Sequence, residues 1–130
     1  MSESKYISVS IRSTPRKIYE YARNPQNLPK WASGLSGSIE KVGEDWVAES
    51  PMGKVKVRFA PDNPFGVLDH EIVLESGQKF VNPMRVVANG EGGELSFTLF
   101  RAPGMSEKAF LEDAATIKKD LGALKALLEG

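Results

Sequence analysis

The sequence contains no cysteine and only one histidine, His70. Disulfides, thiolate nucleophiles and cysteine metal sites are thereby excluded, and a histidine-based transition-metal site is not expected. Seventeen basic residues balance seventeen acidic ones, so no net field draws the chain to nucleic acid or to an anionic membrane. No apolar run approaches the roughly 18 residues that a membrane span needs. Met1 to Lys5 is short and polar, without the apolar stretch of a signal peptide. The absence of cysteine suits a reducing compartment. The expectation is a cytoplasmic protein with no membrane span, no nucleic-acid partner, no metal and no cofactor. Phosphate and nucleophile motifs are missing too. Gly53-Lys54 runs into Val55 without the upstream glycine of a P-loop. Gly90, Gly92 and Gly93 precede a strand pattern, not a helix, so they read as a turn. No serine stands in a nucleophile elbow.

What is there is a chain of 130 residues without linker or repeat, read as a single domain over 1–130. A domain of this length buries roughly two-thirds of the surface its unfolded chain exposes. Ile7, Val9 and Ile11 alternate over Tyr6 to Ile11, a half-buried strand. Thr14-Pro15 and Asn24-Pro25 each read as a cap followed by a first-turn proline. They predict two short helices, the second running toward Trp31. From Ser38 to Arg101 the period becomes two. Strands are predicted over Ile39 to Val42, Trp46 to Ser50, Val55 to Phe59, Val67 to Glu75, Lys79 to Asn89 and Glu94 to Arg101, with short turns that imply antiparallel neighbours. Ser106 caps a last helix of about 23 residues, about 34 Å long. Phe110, Ala114, Ile117, Leu121, Leu124 and Leu128 form its apolar stripe. The plan is α+β: a curved antiparallel sheet of about six to seven strands wrapped around a long C-terminal helix, with two short helices after the first strand.

Hairpin registers predict what faces the helix. With a three-residue turn at 76–78, Ile72 lies opposite Asn82, His70 opposite Met84 and Leu68 opposite Val86. With a four-residue turn at 90–93, Val86 lies opposite Phe97, Met84 opposite Leu99 and Asn82 opposite Arg101. Side chains alternate across a strand, so these rows share one apolar, inner face. Asp69, Glu71, Glu75, Arg85, Ser96 and Thr98 take the other. Three polar groups, His70, Asn82 and Arg101, thus stand on an apolar concave surface, which is the usual form of a small-molecule site. A one-residue bulge at Pro83 would flip part of the assignment.

His70 is the candidate acid, base or hydrogen-bonding group; the competing reading is a histidine satisfied within the core. Asp69 points away, which argues against an Asp–His dyad. Arg101 is a candidate carboxylate or phenolate anchor, against the competing reading of a strand-end arginine reaching for water. Asn82 is a candidate for orienting a carbonyl. Trp31, Trp46, Phe59, Met84 and Phe97 are candidate ligand-wall residues, with Trp31 as the gate. For each of them plain core packing is the alternative.

Trp31 after the paired short helices, Pro51-Met52-Gly53, Val57-Arg58-Phe59, Gly66-Val67-Leu68-Asp69-His70, Pro83-Met84-Arg85-Val86 and Phe97 to Arg101 followed by Pro103-Gly104-Met105 carry a resemblance over nearly the whole chain. The sequence resembles the START-like (SRPBCC) superfamily, in its small bacterial polyketide cyclase/dehydratase-like branch. The resemblance implies the helix-grip fold. It leaves function open, because the superfamily holds carriers, receptors, cyclases and chaperone-activator relatives. Three readings follow. The first is a protein that holds a small hydrophobic or aromatic ligand in an internal cavity. The second is a metal-free polyketide cyclase/aromatase or dehydratase-like enzyme, a lyase or isomerase, with His70 as proton shuttle. The third is an interaction module with a closed cavity, which could form a homodimer through a sheet edge.

Overall fold

In the computed structural model, which describes residues 1–35 and 37–130, capping residues set the helix starts. After β1 (Ser4–Ile11), Thr14 accepts Lys17 N–H at 3.3 Å and opens α1 (Pro15–Arg23). Pro15 takes the first helical position, where no amide donor is missed. Asn24 accepts Gln26 N–H at 3.1 Å and starts a 3₁₀ turn, Pro25–Asn27. The single-turn helix α2 (Leu28–Trp31) follows, then a second 3₁₀ turn, Ser33–Leu35. This packed run of short turns places Leu28 and Trp31 in the core.

Eight strands form two antiparallel sheets. β2 (Ile39–Val42), β3 (Asp45–Ser50), β4 (Gly53–Phe59), β5 (His70–Leu74) and β6 (Lys79–Asn82) pair in that order. β7 (Met84–Asn89) and β8 (Gly92–Phe100) form the second sheet with β1, in the order β1-β8-β7. The expected six to seven strands become eight because Pro83 divides the Lys79–Asn89 run. Proline has no N–H for the ladder. The two sheets stay joined beside that break. Val67 and Arg85 form an isolated bridge, Leu68 N–H donates to Met84 O at 2.8 Å, and Val86 N–H donates to Gly66 O at 3.0 Å.

Both hairpin registers differ from expectation by two residues. Val73 is the last residue of β5 to pair, opposite Lys79, so residues 74–78 make the turn and His70 faces Asn82. The next turn is only Gly90-Glu91, which sets Met84 opposite Phe97 and Val86 opposite Leu95. Gly90 at φ 58° supplies the positive φ that a two-residue hairpin needs. A shift of two residues preserves the side-chain face. Leu68, His70, Met84, Val86, Leu95 and Phe97 are accordingly all buried.

α3 (Glu107–Glu129) closes the concave side, capped by Ser106, which accepts Ala109 N–H at 3.1 Å. Phe110, Leu121 and Leu124 on α3 are buried, and Ile117 and Leu128 pack partly buried against the core. Each fully buried leucine contributes about 1.5–3 kcal/mol of hydrophobic stabilisation. Among the described residues no helix is long and apolar enough to cross a membrane.

The joint between the sheets yields a stability prediction. Gly66 has φ 72°, and a Cβ there would collide with the Val86 carbonyl oxygen. Gly66→Ala should therefore lose on the order of 2–4 kcal/mol, read as a lower urea midpoint. An unchanged midpoint would show that the joint tolerates displacement.

Candidate functional site

The inner face of the sheet does not close completely on α3. A cavity of about 350 Å³ remains between the middle of α3, α2 with its following 3₁₀ turn, the β3–β4 turn, and strands β5, β6 and β8. That volume falls at the lower end of the roughly 300–1,000 Å³ typical of small-molecule sites. Its wall is mainly apolar: Trp31 and Leu35 from the short helical segment, Val55, Ile72, Phe97 and Leu99 from the sheet, and Ile117 and Leu121 from α3. A wider depression of about 910 Å³ lies between the end of β1 and the C-terminal turns of α3. Its Lys125 is already engaged with the Ser10 carbonyl and with Glu129. The smaller cavity is the better-built site, because apolar walls surround a few polar groups there.

Four of the residues predicted from the sequence line this cavity: Trp31, His70, Asn82 and Phe97. The other four do not. Met84 is fully buried in the core behind the wall. Phe59 lies opposite His70 across the β4–β5 pair and packs its ring on the imidazole, centroids 4.9 Å apart. Trp46 is half-buried near the end of β3, outside the core cluster. Arg101 lies just past β8. Its Nε donates to Met105 O at 2.9 Å, and its Nη1 pairs with Glu3 at 3.1 Å. The shortened second turn moves Arg101 two residues beyond its expected partner, Asn82, and Glu3, just before β1, supplies its counter-charge.

His70 is 8% exposed. Its Nδ1 lies 3.1 Å from Leu68 O, a pure acceptor, so Nδ1 carries the proton. Nε2 is then an acceptor, and the Asn82 amide nitrogen approaches it at 3.4 Å. The Asn82 amide donates along this contact, which leaves its oxygen as the free end of the pair. Burial pushes the His70 pKa below its ordinary value, opposed by the Leu68 carbonyl and the Asp69 charge. Asp69 itself bonds elsewhere, accepting Met84 N–H at 2.9 Å and pairing with Arg85 at 3.0 Å. The site therefore presents a neutral imidazole with its acceptor nitrogen oriented by Asn82.

Sequence reasoning missed the helical side of the cavity. Asp113, Thr116 and Asp120 line it from α3, beside Ile117 and Leu121. Their spacing of three, four and seven residues is the signal of a shared helix face. Asp120 is half-buried, and burial raises its pKa, opposed by the hydroxyl and backbone N–H of Ser33. Trp31 is 6% exposed, and its Nε1–H finds no acceptor among the described residues. Among the described residues, no three metal-ligating side chains gather in one place.

No protein-family model matches the chain, and no curated protein matches it. Solved structures do. XoxI from Bacillus cereus is 16% identical with a TM-score of 0.73, covering 98% of this chain and 96% of that one. The Aha1 dimer from Colwellia psychrerythraea is 17% identical with a TM-score of 0.72, covering 98% and 96%. DynU16, a protein of the dynemicin biosynthetic locus, is 15% identical with a TM-score of 0.73; the match covers 99% of this chain but 48% of that one. At these identities the likeness establishes the fold alone, which is the α+β helix grip.

The buried imidazole gives a pH prediction. With the folded pKa lowered, the unfolded chain binds the His70 proton more readily. Stability is complete above the ordinary histidine pKa of 6.5. It falls below that value, by at most about 1.4 kcal/mol per pH unit. Between about pH 7.5 and about pH 5.5 the urea midpoint of the parent should drop further than that of His70→Gln. Equal drops would show that His70 titrates as a solvated group.

Proposed function

We propose that this protein holds a small, largely apolar or aromatic molecule in the cavity between α3 and the sheet, with the His70–Asn82 pair bonding to one polar group of it. The observation that carries this reading is the cavity itself, which is apolar-walled and about 350 Å³, with a buried polar pair at its base. A buried polar group left with spare hydrogen-bonding capacity is costly. The Asn82 oxygen, with no donor to it among the described residues, retains that capacity, and a bound ligand would use it. In support, the sequence resembles the polyketide cyclase/dehydratase-like branch of the superfamily, and its lack of cysteine suits a reducing compartment such as a bacterial cytoplasm. DynU16, from the dynemicin biosynthetic locus, shares the fold. A void of this size weighs against the reading as an interaction module with a closed cavity.

A second reading rests on His70 Nε2. Once the Asn82 amide turns away from Nε2, the lone pair of the neutral imidazole can take a proton from a carbon beside a ligand carbonyl and return it to an oxygen or carbon of the same molecule. That step is the proton transfer of an enolisation or a dehydration, and it needs no cofactor. Leu68 O would stabilise the imidazolium formed, while burial would oppose it. If His70 is the base, His70→Gln should lower turnover of a β-keto aromatic substrate by about 10²-fold or more; undiminished turnover would remove His70 from the chemistry.

The holding function has its own test. Neutral bicyclic aromatic alcohols, at about ten times their Kd, should raise Tm by about 5 °C. Ile72→Trp, which fills the cavity from β5, should abolish the rise. No rise with the parent would overturn the proposal, and an undiminished rise in Ile72→Trp would place binding elsewhere.

A further inference from the structure

The charge around the cavity is one-sided. Its lining includes two carboxylates, Asp113 and Asp120, and a neutral imidazole, and it includes no lysine or arginine. Three arginines on or beside the neighbouring strands are held elsewhere. Arg101 pairs with Glu3, Arg85 with Asp69, and Arg58 with Asp45 and Glu71. Lys119 follows the curve of α3 next to Asp120 but is exposed and does not line the cavity. An anionic head group entering here would lose its hydration and meet like charge without a counter-ion.

The two carboxylates are seven residues apart, so they lie on one side of α3 and about two turns, or roughly 10 Å, apart along it. One head group therefore engages one of them. Asp120 is the half-buried one, set against the 3₁₀ turn that carries Ser33. Asp113 is exposed, at the outer end. Burial penalises the charge of Asp120, and a cation beside it removes that penalty. Across the cavity, the His70–Asn82 pair addresses a neutral polar group of a ligand body.

We infer that the natural ligand is a protonated amine: an aromatic or aliphatic body seated between Trp31, Phe97 and Ile117, with its ammonium group held by Asp120 and attracted by Asp113. This inference rests on the ligand-holding reading above and narrows it. It replaces the carboxylate or phenolate partner that an inward-facing Arg101 would have selected.

Three molecules with one apolar body separate the possibilities: 2-naphthylmethylamine, 2-naphthalenemethanol and 2-naphthoate, titrated calorimetrically at neutral pH and low salt. The amine should bind about tenfold tighter than the alcohol, and the acid should bind most weakly. Asp120→Asn should remove most of the amine's advantage while weakening the alcohol by a smaller factor, and a single cooperative urea transition reports that the variant is folded. Asp113→Asn should weaken the amine by a smaller factor that salt abolishes. An acid that binds as tightly as the amine, or an amine advantage that survives Asp120→Asn, would overturn the inference and leave the ligand-holding function standing. Failure of all three to bind the parent would overturn that function as well.

Discussion

Pro83 has no backbone N–H, and the sheet is arranged around that missing donor. The strand that would have run from Lys79 to Asn89 divides into β6 and β7, which belong to different sheets. Met84 N–H, next in line, would be left without a ladder partner. The Asp69 carboxylate accepts it at 2.9 Å and is itself held by Arg85. Satisfying a buried amide in this way matters because an orphaned one costs about 1–3 kcal/mol. The consequence reaches the cavity. With Asp69 engaged on the outer face, His70 has no carboxylate partner, and the Leu68 carbonyl and Asn82 determine its tautomer. Burial keeps the histidine neutral, and the outward engagement of Asp69 beside the break leaves it without a carboxylate hydrogen-bond partner.

The same break explains which parts of the site were legible in the sequence. The period-two pattern gives the face of each residue, and every buried residue from Leu68 to Phe97 on the strands around the cavity lies on the face expected of it. Position along the strand is a weaker signal. Turn lengths at 74–78 and at Gly90-Glu91 differ from those read in the sequence, and each difference displaces the pairing by two residues. Two residues along a strand is about 6–7 Å. That is enough to put Asn82 in place of Met84 opposite His70 and Phe97 in place of Leu99 opposite Met84, and to carry Arg101 out of the row that lines the cavity. Face survives such an error because side chains alternate; proximity does not.

The helical wall was harder to read for a related reason. The stripe of Phe110, Ile117, Leu121 and Leu124 marks the side of α3 that packs on the core. Asp113, Thr116 and Asp120 flank that stripe, where an amphipathic pattern assigns solvent. They line a cavity only because the sheet stops short of covering them. The gap is a tertiary property, set by how far the short helices and the β3–β4 turn stand from α3, and no local spacing encodes it. What the sequence does contain is the seven-residue interval between two acids beside an apolar stripe.

Neutral His70 and half-buried Asp120 make different demands on anything that enters. His70 offers a lone pair at low basicity, because burial opposes its protonation. Asp120 sits in surroundings that oppose its charge. Catalysis by proton shuttling would require His70 to become an imidazolium during the reaction, with Asp69, the nearest carboxylate in sequence, already bound to Arg85. Binding requires no such change. A ligand cation would relieve Asp120, and a ligand hydroxyl or N–H would meet the Asn82 oxygen while His70 keeps the state it already occupies. The ground-state electrostatics of the cavity are thus complementary to a held molecule, and the charge that chemistry would have to create there is the one the surroundings resist.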